Sequence, residues 1–268
     1  MTSTPLPPLL LVGAGRMGGA LFEGWVRQGL APSILIDPSP PTGLVRPQDT
    51  ACPSLGQMPP DFRPAAAILA VKPQMAAAVL PDLAAAMNGH GVVLSIMAGK
   101  TIASLQAALC VPVIRAMPNT PASIGHGITA ICAGPGVTQA QRDLATALLS
   151  SVGDIVWVDD EALIDPITAI SGSGPAYVFL LAEIMEQAGI ESGVPPHLAR
   201  QLARKTVFGA GALLDASSDD AAALRRAVTS PKGATEKALD ILMAPDAWPA
   251  AIRQAMAAVV RRSQELAG

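Results

Sequence analysis

The chain has 268 residues, of which 50% are apolar, 15% charged and 3% aromatic, with a net charge of -3. That length admits one large or two modest domains with ample material for a core. The slightly acidic balance and the shortage of aromatic side chains exclude both an electrostatic footprint and a stacking platform for nucleic acid.

Cys52, Cys110 and Cys132 are odd in number and lack metal-ligand spacing, so they read as buried or free thiols in a reducing compartment, and no metal site is expected. Met1 to Pro8 is short, polar and proline-rich, without the basic start of an export signal. No apolar run reaches the ~18–20 residues that a bilayer span needs. These features predict a cytoplasmic protein that acts on a small molecule, with neither nucleic acid nor membrane as partner.

The chain opens on a strand at 9–13, the glycine fingerprint Gly13-Ala14-Gly15-Arg16-Met17-Gly18, and a helix over 17–28 with Leu21, Phe22, Trp25 and Val26 at helical spacing. In a dinucleotide site the first glycine makes a tight turn, the second lets backbone approach a pyrophosphate, and the third lets helix pack on strand. The helix N-terminus then offers free N–H groups and the positive end of its dipole to the phosphates. Further strands are predicted at 33–37, 66–71, 91–96, 112–116, 127–132 and 154–158. Helices are predicted at 74–87, where Pro81 should break or kink the run, and at 101–109 and 138–151. The proline-rich stretch 38–64 reads as an irregular surface excursion. Alternating β and α elements predict an α/β fold, a Rossmann-type doubly wound sheet over 1–159. From 160 the β signal stops. Segments 161–171, 175–192, 196–215, 219–228, 232–243 and 247–265 read as helices, so 160–268 is an all-helical domain. Its alanine-rich helices carry little bulk per turn and are expected to complete their core against a second subunit, as a homodimer.

Chemistry-bearing motifs cluster at strand ends. Asp37 closes the second strand 19 residues after Gly18, where an acid takes the adenine ribose hydroxyls and favours NADH; Ser39, in the same turn, can donate to a 2′-phosphate and favours NADPH. Both residues also start turns well. Ala70-Val71-Lys72-Pro73, Ser95-Ile96-Met97-Ala98-Gly99 and Met117-Pro118-Asn119-Thr120-Pro121 end later strands on the same sheet edge, where ligands bind. In the second half, Ser171-Gly172-Ser173-Gly174-Pro175 is a dense run of small residues between helices. Val228-Thr229-Ser230-Pro231-Lys232-Gly233-Ala234-Thr235 sets hydroxyls and consecutive backbone N–H groups before a helix, either as a carboxylate-binding nest or as an N-cap on Ser230. His90, His126 and His197 lie near no nucleophile motif.

Taken in order, VGAGRMG, AVKP, SIMAG, VIRAMPNTPA, LIDPITAISGSGPAYVF and VTSPKGAT resemble pyrroline-5-carboxylate reductases over nearly the whole chain. The resemblance implies reduction of 1-pyrroline-5-carboxylate to L-proline with hydride from NADPH, or NADH. It also implies a Rossmann domain, a helical dimerisation domain, and sites built where two subunits interlock; whether dimers assemble further stays open. It places Val12, Gly13, Ala14, Gly15, Arg16, Met17, Ser39, Ala70, Val71, Lys72, Pro73, Ile96, Met97 and Ala98 on cofactor-contacting positions, beside which Asp37 and Asn119 stand as cofactor candidates. Glu161, Ser230, Gly233, Ala234 and Thr235 fall on substrate-holding positions, and Thr235 matches the threonine that hydrogen-bonds the imine nitrogen. Two positions depart from the family: Lys232 stands where glycine is usual, and Arg226 where an acid is common. Two alternatives remain. A β-hydroxyacid dehydrogenase would carry a catalytic lysine on the first long helix of its second domain, and 175–192 has none. A non-catalytic nucleotide sensor would show a degraded substrate loop, and Thr229-Ser230-Pro231 with Thr235 is intact.

Overall fold

Four leucine and valine residues, Leu9–Val12, form strand β1 and are buried on both faces, as a central parallel strand must be. In this computed structural model residues 5–267 are described, so the reading of Met1 to Pro8 lies in part, at 1–4, outside the described residues. Helix α1 (Arg16–Arg27) returns the chain to β2 (Ile34–Ile36), which pairs parallel with β1. Then follow β3 (Thr50–Cys52), β4 (Ala66–Leu69), α2 (Ala76–Met87), β5 (Val92–Ser95), α3 (Ile102–Leu109) and β6 (Val113–Met117). Strand β7 (Gly127–Ala133), α4 (Gln139–Ser150) and β8 (Gly153–Val158) complete the sheet.

The strand order is β3-β2-β1-β4-β5-β6-β7-β8. All pairs are parallel except β6–β7, so β7 and β8 run against the rest. The order reverses direction at β1, between β2 and β4, which makes the crevice beyond the ends of β1 and β4 the topological switch point where such sheets bind ligands. The two faces are separate cores. Leu9 and Leu11 point with Leu21, Phe22, Trp25, Leu148 and Leu149 of α1 and α4. Leu10 and Val12 point with Leu83, Met87, Leu105 and Leu109 of α2 and α3. Trp25 is fully buried, and its indole N–H donates to the carbonyl of Leu148 at 2.8 Å, so its one polar atom is satisfied.

Three local expectations are corrected. The stretch 38–64 is not wholly irregular: β3 pairs with β2, and Leu44, Cys52 and Leu55 are buried. Three residues between prolines are too short to show a period, yet an edge strand needs only one partner. Pro81 does not break α2, which runs through it; the carbonyl four residues earlier, which loses its N–H partner, belongs to Ala77, an exposed residue on the solvent side. Pro175 and its glycines do not isolate the helix before them. Glu161–Leu163 (3₁₀), α5 (Ile164–Ile167), a π-helical turn (Thr168–Gly172) and α6 (Gly174–Glu191) follow one another. The resulting stretch Glu161–Glu191 is, by length and composition, long and apolar enough to cross a membrane, against the expectation that no run reaches that size.

Helices α7 (Pro196–Ala216), α8 (Ala221–Ala227), α9 (Ala234–Leu242) and α10 (Trp248–Ala267) follow. The chain divides into two compact units, one of residues up to Gly172 together with those from Val259, the other of Ser173–Ala258. In the second unit α6 and α7 pack antiparallel, yet no residue of α6 is buried. Phe179 is 65% and Phe208 70% exposed, and they line a groove of about 900 Å³ with Glu183, Arg200 and Arg204.

Candidate active site

The three fingerprint glycines meet three different surroundings. A Cβ on Gly13, which has φ +97°, would lie 2.8 Å from the carbonyl oxygen of Ala70, so β1 and β4 end too close together for any side chain. A Cβ on Gly18 would collide with the carbonyl oxygen of Gly13. A Cβ on Gly15 would meet nothing within 4 Å. The first two glycines are demanded by the protein's own packing; the third keeps open a space that the protein does not use. Gly15 is also the N-cap of α1 and brings no side-chain acceptor, so the first-turn N–H groups of α1 face that space uncapped. A dinucleotide pyrophosphate fits this cradle.

Neighbouring strand ends are tied together. The N–H of Ala70 donates to the Val12 carbonyl at 2.8 Å, and that of Ile96 to the Leu69 carbonyl at 3.1 Å. The loops carrying Gly13–Met17, Ala70–Pro73 and Ile96–Ala98 therefore form one continuous edge. Along it Val12 and Met97 are core side chains that offer only backbone, whereas Arg16 and Lys72 are exposed. Asp37 is committed to the loop. Its Oδ2 accepts the N–H of Ala14 at 2.8 Å and its Oδ1 the N–H of Ser39 at 2.9 Å. Ser39 is exposed. Arg46, the cation nearest in sequence after β2, is locked on Asp49 at 2.6 Å and on the carbonyls of Leu30 and Ala31. The Asp49 hydrogen bond raises its pKa. Asn119 is buried and spends its amide on the protein: Nδ2 donates to the Ser171 carbonyl at 3.1 Å, and Oδ1 accepts the Ile128 N–H at 3.0 Å.

In the second unit, Ser230–Gly233 is a turn closed by the Gly233 N–H on the Ser230 carbonyl at 3.0 Å. The N-cap of α9 is Gly233, not Ser230, and it supplies no side-chain acceptor. Lys232 adopts φ +62°, in the left-handed region, and its N–H donates to Glu236 Oε2 at 2.8 Å. Ala234 and Thr235 are the first two helical residues and both are exposed, so their N–H groups lie at the helix start, where the helix itself supplies no acceptor. Ser230 lies in this turn, and Gly233, Ala234 and Thr235 lie at the helix start that follows it; the Glu161 carboxylate, in the other unit, accepts from Arg115 and from the Ile102 N–H.

Residues 161–266 match the pyrroline-5-carboxylate reductase dimerisation family, and 9–99 match the family described as NADP oxidoreductase, coenzyme F420-dependent. The pyrroline-5-carboxylate reductase of Pseudomonas aeruginosa is 39% identical over 267 residues, covering 97% of both chains. The chain belongs to the pyrroline-5-carboxylate reductase family. Among solved structures, a member from Coxiella burnetii is 28% identical with a TM-score of 0.85, covering 97% of this chain and 98% of that one. One from Plasmodium falciparum, solved with NADP bound, is 25% identical, also with a TM-score of 0.85 and the same coverage. The chain is accordingly an oxidoreductase with a nicotinamide-cofactor domain and a dimerisation domain. The family also accounts for the exposed apolar face of α6 and α7, since the dimerisation match spans the membrane-length helix.

The glycine that the resemblance sets at position 232 has a physical counterpart in the turn. The turn puts that residue at positive φ, which glycine adopts without strain and lysine does not. Sequence reading missed Arg115, Asp165 and Ser263, which converge with Glu161. The available signal was a lone arginine in the apolar strand VIRAM, because a buried cation must find a carboxylate. Burial raises the thiol pKa of Cys52. For Cys132 burial acts first and the Glu161 charge adds to it.

Proposed function

We propose that this chain reduces 1-pyrroline-5-carboxylate to L-proline with hydride from NADPH. The observation that carries the reading is the start of α9: uncapped backbone N–H groups at Ala234 and Thr235, set after a tight turn, with the Thr235 hydroxyl at the same place. Such a start suits a substrate with a carboxylate and a neighbouring ring nitrogen. The reduced nicotinamide, when bound, supplies the hydride. The chain's own groups bind, orient and exclude water. Ser230, Gly233 and Ala234 hold the carboxylate, and the Thr235 hydroxyl hydrogen-bonds the nitrogen; the carbon of C=N would take hydride from the reduced nicotinamide, which leaves oxidised, and the nitrogen its proton from solvent. An imine is already electrophilic, so positioning supplies most of what is needed. Glu161 is also matched to a substrate-holding position.

The cofactor contacts proposed are Val12, Gly13, Ala14, Gly15, Arg16 and Met17 at the pyrophosphate, and Ala70, Val71, Lys72, Pro73, Ile96, Met97 and Ala98 along the edge. Ser39 lies at the adenosine end, and Asp37 and Asn119 support from behind. NADPH is preferred over NADH because the Asp37 carboxylate already carries two backbone N–H groups while the exposed Ser39 hydroxyl can meet a 2′-phosphate. The functional division proposed is a cofactor domain over 1–159 and a substrate and dimerisation domain over 160–268, in a cytoplasmic homodimer. Purified protein mixed with pyrroline-5-carboxylate should consume the absorbance of reduced nicotinamide, faster with NADPH than with NADH at equal low concentration. No consumption with either would reject the reaction, and a clear preference for NADH would reject the cofactor assignment.

A further inference from the structure

Strand β6 carries a full positive charge into the fold, since Arg115 is 3% exposed. A buried guanidinium is tolerated only when paired. Here two carboxylates do it: Nη1 donates to Glu161 Oε1 at 2.9 Å and Nη2 to Asp165 Oδ1 at 3.1 Å. Each of those oxygens carries a second partner. Glu161 Oε1 accepts the backbone N–H of Ile102 at 2.8 Å, and Asp165 Oδ1 accepts the hydroxyl of Ser263, also at 2.8 Å. Ile102 is the first residue of α3. Ser263 is 7% exposed and lies near the end of α10, within the stretch from Val259 that packs with the sheet unit. Three residues on, Leu266 covers Gly99. A Cβ on Gly99 would lie 2.6 Å from the Leu266 Cβ, and Gly99 has φ +70°.

Two of these contacts, Glu161 on the Ile102 N–H and Leu266 on Gly99, bear on one segment, the connection from β5 to α3, and the Arg115, Asp165 and Ser263 bonds brace the residues that make them. The segment's entry is fixed by the Ile96 N–H on the Leu69 carbonyl, its exit by the Ile102 N–H on Glu161, and its bend by Leu266 on Gly99. Two of the three supports come from the Arg115 cluster and the end of α10. We propose that Arg115, Asp165, Ser263 and Leu266 are positioning residues for hydride transfer, which hold Ile96–Ala98 at the height the nicotinamide needs. The inference rests on the reading of those three residues as cofactor-contacting. Hydride transfer demands this care: a misplacement of about 1 Å at a reacting centre costs up to about 100-fold in rate.

The test uses the full-length protein with Ser263→Ala and Leu266→Ala, and Leu266→Met as the conservative control. Three quantities are read: kcat with saturating NADPH and pyrroline-5-carboxylate, the Kd for ADP-ribose, which lacks the nicotinamide, and Tm. The two alanine variants should each lose about tenfold in kcat, within the range a sub-ångström shift allows. ADP-ribose affinity should stay at the wild-type value, and Leu266→Met should recover most of the rate. Wild-type kcat in both alanine variants, with only Tm lowered, would overturn the inference and leave the cluster as scaffold. A matching loss of ADP-ribose affinity would overturn it too, because the whole cofactor edge would then have loosened. Wild-type protein inactive on pyrroline-5-carboxylate would overturn the proposed reaction and this inference with it, whereas active wild type with unchanged variants overturns the inference alone.

Discussion

The Asp37 carboxylate holds the backbone N–H of Ala14 at 2.8 Å, across 23 residues of sequence, and so ties the end of β2 to the middle of the glycine loop. An acid at this position ordinarily reads the adenine ribose. Here its other oxygen is engaged as well, by the Ser39 N–H in an Asx-type turn. Asp37→Ala should therefore weaken NADPH and NADH together, by about tenfold each, which is ~1.4 kcal/mol. Titration of both cofactors by fluorescence checks it. A variant that binds NADPH better and NADH worse would return Asp37 to the ribose-reading role.

Gly15 and Gly18 should respond in opposite ways to a side chain. Gly15→Val places its methyl groups in the open space at the α1 start, and as the loss of an N-cap glycine it costs up to ~1 kcal/mol of stability. NADPH affinity should collapse. Gly18→Ala drives a methyl group against the Gly13 carbonyl and should destabilise the protein by about 1–3 kcal/mol, as overpacking does. Thermal melts beside cofactor titrations separate the two. Unchanged NADPH binding in Gly15→Val would remove the pyrophosphate from this cradle.

The thiols should divide by burial. Cys110 is exposed, whereas Cys52 and Cys132 are buried. An alkylating reagent at neutral pH should label Cys110 first in the native protein, which peptide mass mapping checks. Because burial raises the folded-state pKa of Cys52 and Cys132, their contribution to stability is complete below the unfolded thiol value of about 8.5. It is lost as pH rises toward the folded values, so the melting temperature should fall on the alkaline side. Cys132→Ser should flatten part of that fall, and an unflattened profile would place its cause elsewhere.

Much of this was legible from residue order. The fingerprint with its flanking apolar runs placed β1 and α1, and the end of β signal near 160 marked where helices take over. What was not legible has identifiable causes. Strand β3 is three residues long, with Thr50 and Ala51 exposed and only Cys52 buried, too few positions to show alternation. The N-cap fell on Gly233 and not Ser230 because the backbone turn, closed by a bond between those two residues, is invisible in side-chain chemistry. The hydrogen bonds of the Arg115 cluster join residues up to 98 positions apart, a distance no local spacing rule reaches.

Lys232 tests the turn itself. Left-handed backbone costs a non-glycine residue roughly 1–2 kcal/mol, while glycine gives back about 0.4–1 kcal/mol through the freer unfolded chain. Lys232→Gly should thus raise stability by about 0.5–1 kcal/mol and leave the fold unchanged, as urea denaturation would show. If the ammonium also attracts the substrate carboxylate, KM for pyrroline-5-carboxylate should rise at low salt and kcat should not move. An unchanged KM at every salt concentration would leave Lys232 as a solvated side chain on a strained turn.

Thr235 carries the sharpest expectation. It is the second residue of α9, exposed, and its N–H is among those the helix leaves unpaired. Removing its hydroxyl in Thr235→Ala takes away the donor to the imine nitrogen while the backbone nest for the carboxylate remains. The neutral imine nitrogen gains negative charge as hydride arrives at the adjacent carbon, and a hydrogen bond to a charged group is worth roughly 1.5–3 kcal/mol, or about 10- to 150-fold in kcat/KM. NADPH affinity should hardly change, since this loop is assigned to substrate and not to pyrophosphate. Thr235→Ser keeps the hydroxyl and should keep most of the activity, which separates loss of the donor from disturbance of the helix start. Steady-state kinetics on the three proteins decide the matter: wild-type kcat/KM in Thr235→Ala would mean that the nitrogen finds its partner elsewhere and that Thr235 serves only to begin α9.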